Sequence, residues 1–107
     1  MLVDVRTYRI KSGKTAAHLD IYAKNGFAAQ VRHIGHPLCY LQAESGELNT
    51  VVHLWAYDDM ADRAKKRAAM YADPEWQNYL KLTADAGFTL SQQNNLMIPT
   101  SFAPLKR

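Results

Sequence analysis

His53 is the side chain in this sequence best suited to proton exchange near neutrality, because an unperturbed imidazole has a pKa of about 6.5. It lies in TVVHLWAYDD, residues 50–59. Along that stretch His53, Trp55 and Tyr57 alternate with Val52, Leu54 and Ala56, so a strand sends the two sets to opposite faces. The opening segment LVDVRTYRI, residues 2–10, offers Arg6 and Tyr8 in the same alternation. Arg6 can bind a carboxylate or an enolate, and Tyr8 or Tyr40 can donate a hydrogen bond to a developing oxyanion. Trp55 and Tyr57 can wall a flat apolar substrate, with Tyr40 and Gln42 beside them. The chemistry these residue types suit is cofactor-free acid–base work, with His53 as base. A purely structural assignment is also open: a hydrogen-bonded interface histidine, Arg6 paired with Asp4 or Glu44, and aromatics that only fill space.

The elements that must position these groups are legible in the patterning. Residues 2–10 alternate as a strand, and KSGKT supplies a turn in which Ser12 or Thr15 can cap a helix. Leu19, Ala23, Phe27, Val31 and Ile34 recur at spacings of four and three, predicting one amphipathic helix over 15–34, which Gly26 weakens. Gly35 and Pro37 end it. Residues 38–44 and 48–57 form a hairpin about ESGE. Asp58 or Asp59 caps the next helix. At 73–75 the sequence reads DPE, an N-cap with proline at the first helical position, so the helical region restarts and runs to Ala86 before Gly87. Residues 88–98 form a last strand, polar at Gln92, Gln93, Asn94 and Asn95. The tail from Pro99 is irregular.

The order β-α-β-β-α-β with right-handed crossovers gives a ferredoxin-like α+β fold, a four-stranded antiparallel sheet with its helices on one face. All 107 residues fit one domain. Val3, Val5, Cys39, Leu41, Val52, Leu54 and Ala56 are expected beneath the helices. Arg6, Tyr8, Tyr40, Gln42, His53, Trp55 and Tyr57 are then left on an uncovered face. Monomers rarely expose apolar patches beyond roughly a few hundred Å². Two copies can pack these faces into a dimeric barrel whose interior holds a small-molecule ligand, or whose interior is simply packed. An RNA platform would use aromatics in the same place, but its strand motif is absent.

Other classes find little support. With 13 basic and 10 acidic residues the net charge is +3, too small a surplus to indicate nucleic acid. No stretch reaches the roughly 18 apolar residues of a membrane span, and the N-terminus lacks the apolar run of a signal peptide, so a cytoplasmic protein is expected. Cys39 is the single cysteine, which rules out an intrachain disulfide. His33 and His36 straddle a helix stop and have no further ligands nearby, so no metal site is expected, and His33 suits the negative end of its helix. SGKT lacks the glycine spacing of a phosphate loop. Trp76, Tyr79 and Leu80 read as packing residues, and Lys65, Lys66 and Arg67 as a solvated helix face.

Several segments also carry a likeness to a known family. VHLWAYDD, the basic run AKKRAAM, DPEWQNYL, the opening VRTYRIKSGK and the closing LMIPTSFAPL occur in matching order. Across nearly the whole chain the sequence resembles the NIPSNAP family. The resemblance implies a ferredoxin-like subunit that forms a dimeric α+β barrel. The surrounding superfamily includes cofactor-independent monooxygenases, haem-degrading enzymes and lactone isomerases. It supplies no catalytic motif to transfer, and a non-catalytic binding or interaction module is the alternative function.

Overall fold

In the computed structural model, which describes residues 1–105, the elements are β1 (Leu2–Ile10), α1 (Thr15–Asn25), α2 (Phe27–Ile34), β2 (Cys39–Gln42), β3 (Thr50–Tyr57), α3 (Met60–Tyr71), α4 (Pro74–Ala86) and β4 (Thr89–Met97). The sheet order is β2-β3-β1-β4 with every neighbouring pair antiparallel. This is the expected ferredoxin-like α+β arrangement, with β1 and β3 central. The tail described from Pro99 to Leu105 holds neither helix nor strand.

Local chemistry accounts for most element ends. Asp59 accepts a hydrogen bond from the Asp62 amide at 2.8 Å and caps α3. Asp73 accepts from the Glu75 amide at 2.8 Å with Pro74 in the first turn of α4. Gly87 closes α4 at φ 66°, a left-handed conformation that costs glycine nothing. α1 departs from expectation, since neither Ser12 nor Thr15 caps it. The Thr15 hydroxyl instead donates to Asn49 Oδ1 at 3.0 Å, which ties the start of α1 to the turn before β3.

The helix predicted over 15–34 is two helices divided at Gly26. A Cβ at this position would lie 2.8 Å from Cγ of the Tyr79 ring. Glycine therefore lets α4 approach the α1–α2 junction at backbone distance. The break also rotates the buried stripe, so His18 and Tyr22 face inward from α1 while Ala23 is exposed.

The main correction concerns which face of the sheet the helices cover. Opposite residues in an antiparallel pair share a face. The register sets Asp4 against Trp55, Arg6 against His53 and Leu2 against Tyr57, with Tyr40 opposite His53 on the other side. Trp55 (1% exposed) and Tyr57 (0%) belong to one buried cluster with Tyr22, Ala29, Ile34, Met70, Trp76 and Tyr79 from the helices. The aromatic face thus meets this subunit's own helices. Val5, Cys39, Leu41, Val52 and Leu54 lie on the uncovered face, not beneath the helices as expected. Side-chain volume decides the matter: large rings fill the space between sheet and helices, whereas β-branched residues make a shallow surface. Polar tips do not forbid burial when partners are supplied within the layer.

Candidate functional site

The site is built on the middle of β1 and β3, where partnered charges sit inside the helix–sheet layer. Asp4 is fully buried. Its Oδ2 accepts from Arg6 Nη1 and from Arg63 Nε of α3, each at 3.2 Å, and its Oδ1 accepts from Asn94 Nδ2 at 3.0 Å. Burial alone would raise this carboxyl, but the Asn94 bond and the two guanidiniums hold it below its ordinary value. Arg6 then donates through Nε to the Tyr8 hydroxyl oxygen at 3.2 Å. Because that oxygen is an acceptor here, the phenolic proton is available for another group.

A second relay runs along β3. Trp55 Nε1 donates to His53 Nδ1 at 2.6 Å. An indole N–H can only donate, so Nδ1 is the unprotonated nitrogen and the neutral ring carries its proton on Nε2. Burial pushes the imidazole down to about 3, with Arg6 adding to the shift. Protonating Nδ1 would also set two N–H groups head to head. Tyr40 stacks on the His53 ring at 4.4 Å and 9°, and Tyr8 meets it edge-on at 4.7 Å. Nε2 is buried and has no hydrogen-bond partner among the described residues.

Arg6, Tyr8, Tyr40 and His53 border a partly open pocket of about 90 Å³ between sheet and helices. The space is enough for several waters or the core of a small organic molecule. Tyr22, Gln30, Trp76 and Tyr79 close it from the helices, and Arg67 from α3 and Gln92 from β4 also reach it. Tyr22 donates to Gln30 Oε1 at 2.6 Å, and burial raises the phenols of Tyr22 and Tyr40 and pushes Tyr79 up to about 12.

Of the residues singled out in the sequence, His53, Arg6, Tyr8 and Tyr40 meet at this cavity. Trp55 stands behind His53, Tyr57 is packed in the core, and Gln42 is exposed at the end of β2. The space they border is under the helices of their own subunit, not towards a partner sheet. The helical contributors were missed because the aromatic face was assigned outward. A signal was present: His18, Tyr22 and Gln30 recur at helical spacings of four and eight, a polar stripe on the inward side. Trp76 and Tyr79 pack as expected and border the cavity as well. Arg67, expected on a solvated face with Lys65 and Lys66, is half-buried and borders the pocket, donating to the exposed Tyr71 hydroxyl at 3.3 Å. Cys39 is half-buried on the open face, opposite Leu54. His33, in the last turn of α2, contacts Asp73 at 2.8 Å. Among the described residues no group of three or more metal-ligating side chains occurs, and no helix is long and apolar enough to cross a membrane.

Comparison with known proteins matches this architecture. The chain is 34% identical over 97 residues to a NipSnap homologue of Dictyostelium discoideum, which covers 90% of this chain and 41% of the relative. It therefore spans under half the length of that relative. A solved NIPSNAP family protein with unknown function from Agrobacterium tumefaciens is 36% identical and superposes with a TM-score of 0.90, covering 99% of this chain and 94% of that one. An antibiotic biosynthesis monooxygenase shares the fold at 16% identity and a TM-score of 0.62, covering 94% and 99% of the two chains. The NIPSNAP family model matches residues 3–104. On this match, and with its sheet and helices in one ferredoxin-like unit, the chain belongs to the NIPSNAP family.

Proposed function

We propose that the cavity binds a small aromatic or enolisable compound and, without a cofactor, stabilises its deprotonated form. The observation that carries this reading is the pair of donors that end the two relays, Tyr8 O–H and His53 Nε2–H, on rings 4.7 Å apart. Preorganised donors of this kind act as an oxyanion hole, and removal of one costs about 10²–10³ in rate. His53 serves here as a neutral donor and not as the base its residue type suggests. Its only free nitrogen already bears the proton. The proton lost by the substrate passes to solvent water.

A second reading, binding without turnover, is favoured by the cavity lining. No carboxylate borders it, and burial raises the phenols of Tyr22, Tyr40 and Tyr79 further from neutrality. Exchange of the benzylic protons of phenylacetone in D₂O separates the two. Acceleration by the protein, reduced in His53→Asn and in Tyr8→Phe, supports catalysis. Saturable binding with unchanged exchange supports a binding protein. Neither binding nor exchange overturns both.

Separately, we propose a cytoplasmic homodimer closed through the open sheet face. Val5, Val52 and Leu54 form an apolar surface there that the subunit's own helices leave uncovered, and Leu41 beside them is 54% exposed.

A further inference from the structure

The ligand's charge follows from a count of the groups around the cavity. Two guanidiniums border it, Arg6 from β1 and Arg67 from α3, and no aspartate or glutamate does. Arg6 is only partly neutralised, because Asp4 is shared with Arg63. Its Nε and Nη1 are engaged by Tyr8 and Asp4, and Nη2 has no side-chain partner among the described residues. Arg67 is half-buried, lies 5.5 Å from the centre of the Tyr71 ring, and has no carboxylate partner among the described residues. Two guanidiniums, Arg6 and Arg63, therefore share one buried carboxylate, and Arg67 adds a further positive charge at the half-buried rim of the pocket. Uncompensated charge in such a place is unfavourable, and an anion that enters it offsets the desolvation of both arginines. The remaining donors have the same preference, since His53 Nε2–H and Tyr8 O–H both await an acceptor.

The shape of the site restricts the anion further. Tyr40 lies parallel to His53, and Tyr22 lies parallel to Tyr40 within 22° at 5.1 Å. Rings stacked in this way hold one another in place, and the pocket of about 90 Å³ beside them admits only a small anion. We infer that the pocket recognises a small carboxylate, held by Arg6 and Arg67 and by hydrogen bonds from Tyr8 and His53. This rests on the assignment of the cavity as a ligand site and adds the charge and size of what it takes.

The test pairs carboxylates with neutral amides of the same shape: benzoate with benzamide, and pyruvate with pyruvamide, titrated calorimetrically into the full chain. Each carboxylate is expected to bind at least tenfold more tightly than its amide, and to weaken as sodium chloride is raised. In Arg67→Gln, with folding verified by thermal unfolding, the preference should fall to about threefold or less, and Arg67→Lys should restore part of it. Equal affinity for acid and amide overturns the charge assignment while leaving the ligand site intact. An undiminished preference in Arg67→Gln also overturns it. Failure of all four compounds to bind overturns the ligand site and this inference together.

Discussion

His53 is held neutral by its surroundings, and the cost of charging it can be worked out and measured. The ring is 2% exposed and its pKa is lowered from 6.5 to about 3, first by burial and then by Arg6. In the unfolded chain the same group takes up a proton near 6.5. Between these values the unfolded state binds more protons, so acid favours unfolding. The contribution of the neutral ring is fully present above pH 6.5 and is lost as pH falls towards 3. One pH unit corresponds to about 1.4 kcal/mol, so acidifying from pH 7 to 5 should remove about 2 kcal/mol through this residue. Urea unfolding at both pH values gives the total loss. Repeating it in His53→Asn, which keeps an acceptor for Trp55 but cannot titrate, isolates the histidine's share. His18, also buried and lowered, adds a loss of the same sign in both proteins and cancels in the difference. Nitrogen-15 spectra of the imidazole should show a proton on Nε2 and none on Nδ1 down to pH 5. Parallel pH dependences in the two proteins, or a ring that titrates near 6.5, would refute the reasoning.

Three other outcomes are expected. Trp55→Phe removes the 2.6 Å donor to Nδ1 and leaves a buried acceptor alone, which should cost about 1–3 kcal/mol in urea unfolding and move the His53 titration upward in the NMR spectrum. Gly26→Ala drives a methyl to 2.8 Å from the buried Tyr79 ring and should destabilise by about 1–3 kcal/mol, although alanine is the better helix former; a stability equal to or above wild type would mean the junction yields freely. Leu54→Glu, on the open face, should convert a particle of twice the 12.1 kDa chain mass into a monomer by light scattering, with unchanged circular dichroism. A wild-type chain already at 12.1 kDa would remove the proposed dimer.

Much of this architecture was legible in the residues because its signals are local. Strand alternation over residues 2–10, the DPE start of α4 and the left-handed Gly87 depend on neighbours in sequence, and each appears where expected. The two-helix split at Gly26 was not legible. The need for glycine there comes from a tyrosine 53 residues further along the chain. Four of the residues picked for chemistry, Arg6, Tyr8, Tyr40 and His53, do converge, since strand alternation alone gives them a common face.

What alternation cannot say is which face points inward. The strands have two faces of similar apolar character, one of large polar-tipped rings and one of small aliphatic chains, and polarity alone suggested the rings lay outside. The helices decide otherwise, because they supply Arg63 for Asp4 and a layer deep enough for Trp55 and Tyr57, while Trp55 itself satisfies His53. The same packing turns His53 from a group that would titrate near neutrality into a neutral donor. Residue type and spacing thus determined the strands, helices and grouped side chains of this protein. The inward face, the cavity and the protonation of His53 were decided by tertiary structure, since volume and desolvation are properties of the assembled layers and not of any segment.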